Sequence, residues 1–213
     1  MDIEIWSDIV CPWCTIGKRR FEKALDQFEH MDAVQVSWRS FELNPDGERG
    51  YEGTLNEWLA NRKGISPAQA MAMNDNVAAL AAKEGLTFRL NEARPANTFD
   101  AHRLTHFADT VGKRKEMTER LFRAYFEEGE ALDDVETLVK LGGEAGLDKE
   151  TVMKVLQGGD FGEAVRGEEE KAVELEINGV PFFLIDGKYG ISGAQGTELF
   201  LRGLRQVWEE TVK

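Results

Sequence analysis

Cys11-Pro12-Trp13-Cys14 holds both cysteines of the chain. Positions three apart on a helix share one face, close enough for their sulfurs to bond. A pair that opens and closes a disulfide over two intervening residues is a redox device or half a metal site. Just upstream, Ile3 and Ile5 alternate with Glu4 and Trp6 at the period of a short strand, and Ser7-Asp8 breaks it. Downstream of Cys14, the residues Gly17, Phe21, Leu25 and Phe28 recur at helical spacing. They predict a helix running to about His30, with Cys14 on its buried side. Cys11 falls at the helix tip, and Pro12 suits the first turn, where its missing N–H would have no partner. Residues 33–38 read as a second strand, so the thiols lie where strand becomes helix.

Beyond Phe41-Glu42-Leu43-Asn44-Pro45 the character changes, and helical signals dominate to about residue 177. Thr54 with Glu57, and Ser66 with Gln69 behind Pro67, form capping boxes. The run Ala70–Glu84 stops at Gly85; Asn97–Val111 and Lys113–Glu128 are further helices. Asp133 with Glu136 opens another, Leu147–Leu156 is the next, and Asp160 with Glu163 opens the one bearing Glu168-Glu169-Glu170. Strand signals return at Val180–Ile185. Asp186-Gly187 is a hairpin turn, Lys188–Ile191 the returning strand, and Ser192 to Gln195 a third capping box. The last helix places Leu199, Leu201, Leu204, Val207 and Trp208 inward. The order is strand, helix, strand, helical insert, strand, strand, helix. Neither set of strands makes a viable sheet alone, so the two ends must meet. The expected division is a core of residues 1–48 and 178–213 and an inserted helical domain of residues 49–177.

Composition narrows the partners. A net charge of −13 disfavours nucleic acid and anionic membranes. No apolar run reaches transmembrane length. The start Met1-Asp2-Ile3-Glu4-Ile5-Trp6 has neither the basic head nor the apolar core of a secretory signal, so a cytoplasmic protein is expected. In that reducing setting a lone cysteine pair is not a structural staple. Lys18-Arg19-Arg20 reads as a solvated helix face.

The motif between a first strand and a first helix, with Val180-Pro181 opening a later strand, resembles the DsbA family of thioredoxin-fold oxidoreductases. Ser7-Asp8-Ile9-Val10 before the cysteines, Phe41 to Pro45, Asn97-Thr98 with Ala101 to Leu104, Gly179 to Phe183, and Ser192 to Gln195 look like its FrnE-like branch, in the same order. The resemblance spans essentially the whole chain. It implies an α/β, thioredoxin-like mixed sheet with a large all-helical insertion, a cis bond before Pro181, and thiol–disulfide exchange on protein or small-molecule disulfides. It further implies substrate contacts at Pro12, Trp13, Val180 and Pro181, and supporting roles beside the thiols for Asn97 and His102. One position departs from better-known relatives. Some carry a buried carboxylate six residues before the nucleophile; here that residue is Ile5, and Glu4 should face the other way on the strand.

Cys11, at the positive end of the helix, is the expected nucleophile, its thiolate favoured by the helix dipole and the free N–H groups. Cys14 is the resolving thiol. A zinc site needs about four ligands. No second cysteine pair exists, and only His30, His102 and His106 could complete one, so no metal is expected. His102 and His106 are four apart on a helix, without a telling acidic third ligand. For Pro181 the plain alternative is a proline at a strand start; for Asn97 it is a helix N-cap. The expected activity is that of a disulfide oxidoreductase or isomerase without a resident cofactor, its electrons carried by the redox-active disulfide, with glutathione open as a thiol co-substrate. The rival enzyme is a glutathione-dependent isomerase or transferase of the 2-hydroxychromene-2-carboxylate isomerase or kappa class, which carries serine at the nucleophile position. A holdase-like binding module is the non-enzymatic alternative. The oligomeric state is left open, a homodimer included.

Overall fold

A computed structural model describes residues 1–211. The chain forms two compact units, one of residues 1–43 together with 168 onward, the other of residues 44–167. Among the described residues no helix is long and apolar enough to cross a membrane.

In the first unit β1 (Asp2–Ser7) pairs in parallel with β2 (Gln35–Ser40) and antiparallel with β3 (Phe182–Ile185). β3 pairs antiparallel with β4 (Tyr189–Ser192), giving a mixed sheet in the order β2-β1-β3-β4. The two ends of the chain thus share one sheet, flanked by α1 (Pro12–Leu25) and α9 (Thr197–Thr211). The alternation in β1 works as its period demands. Ile3 and Ile5 are buried in one cluster with Phe21, Phe28, Phe183, Ile185, Phe200, Leu204 and Val207. Trp6 is buried in another with Ala172, Ile177 and Leu184. The Phe183 ring lies 5.3 Å from Phe21 and 4.6 Å from Phe200, centroid to centroid. Burial of each such side chain stabilises by about 1.5–3 kcal/mol.

Several boundaries differ from the sequence expectation. α1 ends at Leu25 rather than near His30, because the bonds tighten to three-residue spacing at Gln27 N to Ala24 O and Phe28 N to Leu25 O. Residues 31–33 then form a single 3₁₀ turn, which delays β2 to Gln35. The 186–187 hairpin turn holds, with both residues at positive φ. Ser192 to Gln195 is not a capping box. Ser192 ends β4, Gln195 Nε2 donates to the Ser192 carbonyl, and α9 starts only at Thr197. Its buried residues are Phe200, Leu204 and Val207, with Leu201 and Trp208 packed beside them, so Phe200 takes the inward place given to Leu199.

The second unit holds α2 (Leu55–Lys63), α3 (Pro67–Lys83), α4 (Phe99–Thr110), α5 (Arg114–Phe126), α6 (Val135–Glu144) and α7 (Lys149–Gln157). The capping boxes at Thr54 and Ser66 both form, with reciprocal side-chain and backbone bonds. α6 is capped by Asp134, which accepts from Thr137 N, while Asp133 accepts from Gly50 N. A guanidinium lies at the centre of this unit. Buried Arg103 donates to Asp100 and to the carbonyls of Val155, Leu156, Gly158 and Asp160, tying the end of α7 to α4.

α8 (Gly162–Glu174) carries the second joint, at Gly167/Glu168 rather than at 177/178 where the sequence places it; the first joint, placed at 48/49, falls at Leu43/Asn44. The end of the assigned core, Val212 and Lys213, lies outside the described residues. The shift at α8 has a cause in its acidic run. The Glu168 carboxylate accepts from Ser40 N (2.6 Å) and Arg39 (3.0 Å), and its carbonyl accepts from Trp6 Nε1 (3.0 Å). Glu169 accepts from Glu42 N. Lys171 and Arg39 both reach Glu4, at 2.8 Å and 2.7 Å. The half-helix after Gly167 is therefore part of the sheet unit.

Burial works against the charge on Glu4, but the hydrogen bonds from Lys171 and Arg39 outweigh it and hold the carboxyl below its ordinary 4.5. A depressed carboxyl contributes stability in full above its unfolded value and loses it as pH falls through its folded value. Urea unfolding at pH 7 and pH 3 should therefore show a smaller acid loss of stability in Glu4→Gln than in the parent; equal losses would disprove the linkage.

Candidate active site

The site is built at the β1–α1 junction. Cys11 is the N-cap of α1, in extended conformation, with Pro12 as the first helical residue. The preceding turn is closed by Cys11 N donating to Asp8 O at 3.2 Å. The Asp8 carboxylate accepts from Leu43 N at 2.7 Å, so the turn is fastened to the segment that follows β2. Helix periodicity then carries Cys14 inward, to 1% exposure, and leaves Trp13 outward at 41%. Both cysteines are free thiols and both are buried.

The second wall is the loop before β3. The Val180–Pro181 peptide is cis, and the Val180 carbonyl accepts from Cys11 Sγ at 3.6 Å. The Pro181 carbonyl accepts from Gly193 N at 2.8 Å. Arg20 of α1 donates to the neighbouring Ala194 carbonyl at 2.7 Å. These bonds draw α1 onto the loop, and Gly17 is where they meet. A Cβ there would lie 2.9 Å from Pro181 Cγ and 3.3 Å from Ala194 Cα. Only glycine permits that approach without a shift.

This geometry also corrects the reading of Lys18-Arg19-Arg20 as a solvated face. Lys18 is 2% exposed, pairs with Glu22 and lies 5.9 Å from the Trp38 ring centroid. Its long stem covers apolar surface while the ammonium finds a carboxylate. Arg19 also reaches Glu22, at 3.0 Å.

The two sulfurs are unequal. Burial pushes the Cys14 thiol well above its ordinary 9.0. The neighbouring Cys11 sulfur pushes the Cys14 thiol in the same direction. The Ser7 side chain and the Asp8 backbone act in the opposite direction, although the buried Ser7 Oγ makes no hydrogen bond. Position 5, six residues before Cys11, is fully buried isoleucine in the apolar cluster. Glu4 points away, to Arg39 and Lys171. The free helix amides make no side-chain capping bond with Cys11, contrary to expectation, so what α1 supplies to that sulfur is its dipole.

Of the residues singled out from the sequence, Cys11, Cys14, Val180 and Pro181 come together, with Pro12 and Trp13 beside them. Asn97 and His102 lie in the helical unit. The Asn97 amide donates to the Pro45 and Gly47 carbonyls, and its Oδ1 accepts from Phe99 N at the start of α4. His102 is buried in α4. Among the described residues no three His, Cys, Asp or Glu side chains are grouped to hold a metal, so His102 and His106 gain no third ligand. Sequence reasoning missed Ser7, Asp8 and Gly17 as parts of the site. Ser7-Asp8 signals a strand end and belongs to the segment that carries the family resemblance, with no role at the thiols attached to it, and Gly17 signals only a position on the inner face of the helix.

A sequence model of the DSBA-like thioredoxin domain matches residues 2–205. The crystal structure of a probable DsbA oxidoreductase from Streptomyces coelicolor superposes with a TM-score of 0.95 at 43% identity, covering 99% of this chain and 91% of that one. The uncharacterized protein YwbO of Bacillus subtilis is 29% identical over 204 residues, 95% of this chain and 94% of that protein. A 2-hydroxychromene-2-carboxylate isomerase structure matches at a TM-score of 0.73 with 16% identity, over 100% of this chain and 98% of that one, a likeness of fold.

Two outcomes follow from the geometry. Gly17→Val forces the Pro181 loop off α1 and should destabilise the protein by about 1–3 kcal/mol in urea titration; an unchanged midpoint would show that the loop yields freely. In the native reduced protein at pH 7, iodoacetamide should modify Cys14 at least about tenfold more slowly than Cys11, because a buried, protonated sulfur is a poor nucleophile. Peptide mass mapping reads the order of labelling, and equal rates would contradict the asymmetry.

Proposed function

The chain belongs to the family of DSBA-like thioredoxin domains, and from that premise we propose that it is a thiol–disulfide oxidoreductase and disulfide isomerase acting by exchange through Cys11 and Cys14. The observation that carries this reading is the pair of free, buried thiols three residues apart at the start of α1, with Cys11 Sγ against the Val180 carbonyl.

Cys11 attacks one sulfur of a substrate disulfide. A Cys11–substrate S–S bond forms, and the other substrate sulfur leaves as a thiolate and takes up a proton. Cys14 then attacks Cys11 Sγ, the mixed disulfide breaks, and the Cys11–Cys14 bond forms as the second substrate sulfur departs reduced. Run backwards, the same steps oxidise a dithiol; attack by another thiol of the same substrate instead of Cys14 rearranges its disulfides. Which direction prevails depends on the potential of the pair relative to its surroundings. The exposed Trp13 and the Val180 backbone are the groups that we assign to substrate contact, together with Pro12 and Pro181. An extended substrate segment pairing with the Val180 backbone is recognition by strand addition.

In this reading the substrates are proteins or small molecules bearing a disulfide or thiols. No resident cofactor is needed, glutathione can serve as the thiol co-substrate, and the setting is the cytoplasm. Cysteine rather than serine at position 11, with a partner at 14, favours dithiol exchange over the glutathione-dependent isomerase chemistry of the same fold.

Cys11→Ser should lower the reduction of insulin disulfides by dithiothreitol or glutathione by about 10³-fold or more, since the nucleophile is lost. Cys14→Ala should instead accumulate a glutathione adduct on Cys11, visible by intact-protein mass. A Cys11→Ser protein with undiminished turnover, or a Cys14→Ala protein that never holds the adduct, would refute the proposal.

A further inference from the structure

The basic triplet Lys18-Arg19-Arg20 divides in the structure. Lys18 and Arg19 both turn to Glu22 along α1. Arg20 leaves the helix: its Nη1 donates to the Ala194 carbonyl at 2.7 Å, 174 positions away. Ala194 belongs to a short turn with bonds of its own, Gln195 N to Gly193 O and Gln195 Nε2 to Ser192 O, and with Gly193 at φ +79°. The Gly193 N–H of that turn holds the Pro181 carbonyl at 2.8 Å. The next carbonyl back along the chain is that of Val180, which accepts from Cys11 Sγ. One run of bonds therefore leads from Arg20 to the acceptor beside the nucleophile. The ladders of β3 to β1 and β4 both stop at Phe182, so the Val180 main chain lies past them. Its carbonyl loses the Cys11 donor as soon as Cys11 enters a mixed disulfide, because a disulfide sulfur has no hydrogen to give. An extended substrate then supplies a main-chain N–H in its place, and a small disulfide without peptide groups does not.

We propose that Arg20 is a positioning residue that makes the site prefer disulfides carried on extended polypeptide over small-molecule disulfides. The inference rests on the dithiol-exchange reading above and deepens it, naming the favoured substrate class and the group that sets the preference. The Arg20 bond pins the Ala194 turn to α1, the helix that carries Cys11 at its N-cap. Contact at Gly17 limits how close helix and loop can come. Contact is non-directional, whereas a guanidinium bond to a carbonyl also fixes where along the helix the turn sits. That bond is part-buried, where a charged donor counts for more than in open solvent. Hydrogen bonds weaken steeply as distance and angle leave their optimum. The Val180 main chain therefore serves a substrate strand only while the turn is held in place. Exchange with a small disulfide needs the Cys11 sulfur and access to it, and is indifferent to Arg20. The guanidinium thus acts on one class of substrate and not on the other.

Two probes carry the same disulfide chemistry with and without a main chain: an extended peptide whose central cysteine is disulfide-bonded to 2-mercaptoethanol, and bis(2-hydroxyethyl) disulfide. Reduced full-length protein is mixed with each and quenched in acid. Oxidation of the Cys11–Cys14 pair is read by intact mass after alkylation of the remaining thiols, giving a second-order rate constant for each probe. Arg20→Met keeps an unbranched stem and deletes the donor. It should lower the peptide rate about tenfold, the worth of one hydrogen bond from a charged group, and leave the small-disulfide rate and the alkylation of Cys11 within about twofold. Arg20→Lys, which keeps a cationic donor, should recover part of the peptide rate. Amide hydrogen exchange in the 192–195 turn should quicken in Arg20→Met while the β1 amides stay protected, which reads the loosened turn in a folded protein. A peptide rate that does not fall in Arg20→Met overturns the proposal, and so does equal slowing with both probes, since a uniform loss is a packing effect. No recovery at all in Arg20→Lys assigns the effect to the stem and overturns it as well. A parent that takes both probes equally well leaves dithiol exchange standing and overturns the preference. A parent that is oxidised by neither probe overturns the dithiol reading itself, before any Arg20 variant is compared.

Discussion

The structure depends on the close approach of α1 to the Pro181 loop. A helix can come this close to a neighbouring loop only where no Cβ intervenes, and Gly17 is that place, with Pro181 Cγ and Ala194 at contact distance. Arg20 to the Ala194 carbonyl and Gly193 N to the Pro181 carbonyl close the same joint with hydrogen bonds. Because the joint sits about one turn beyond Cys14, it sets how near the sulfurs come to the Val180 carbonyl. Loop, helix and sheet edge become one rigid frame around two atoms.

Within that frame the asymmetry between the thiols follows from helix geometry. Three residues of helix carry one sulfur from the cap to the interior. The inner one is desolvated and keeps its proton, and the outer one lies at the positive end of the backbone dipole. A protein that buries its second sulfur so completely must compensate the charge when that sulfur attacks. Here the turn that leads into the pair is held in place by the Asp8 carboxylate accepting from Leu43 N. The acidic run on α8 serves the frame as well. Glu168 and Glu169 satisfy backbone amides at the end of β2, where an edge strand would otherwise leave them to solvent.

Much of this was legible in the chain. The period-two pattern of β1, the Cys-Pro-Trp-Cys turn into a helix, the 186–187 hairpin and the boxes at Thr54 and Ser66 are local signals, each set by residues within a turn of one another. The misreadings share a different origin. Phe28 continued the apolar period of α1 but reaches the core from a turn, because packing needs its side chain and not its helix. Ser192 to Gln195 has the letters of a capping box, yet β3 holds Ser192 in the sheet. Lys18 looked like a solvated charge until Glu22 and Trp38 enclosed it. In each case a partner distant in sequence, or the demand of the core, overrode a local preference.

By itself the sequence determined the order of elements, the strand-to-helix placement of the two cysteines and the inward direction of Cys14, since backbone periodicity and capping chemistry act over a few residues. Only the tertiary structure decided what surrounds those sulfurs: the Val180 carbonyl at Cys11, the near-complete burial of Cys14, and the glycine that lets the loop close. Hydrogen bonds and steric exclusion act between atoms in space, and 169 positions separate Cys11 from the carbonyl it meets. No local pattern records such a meeting.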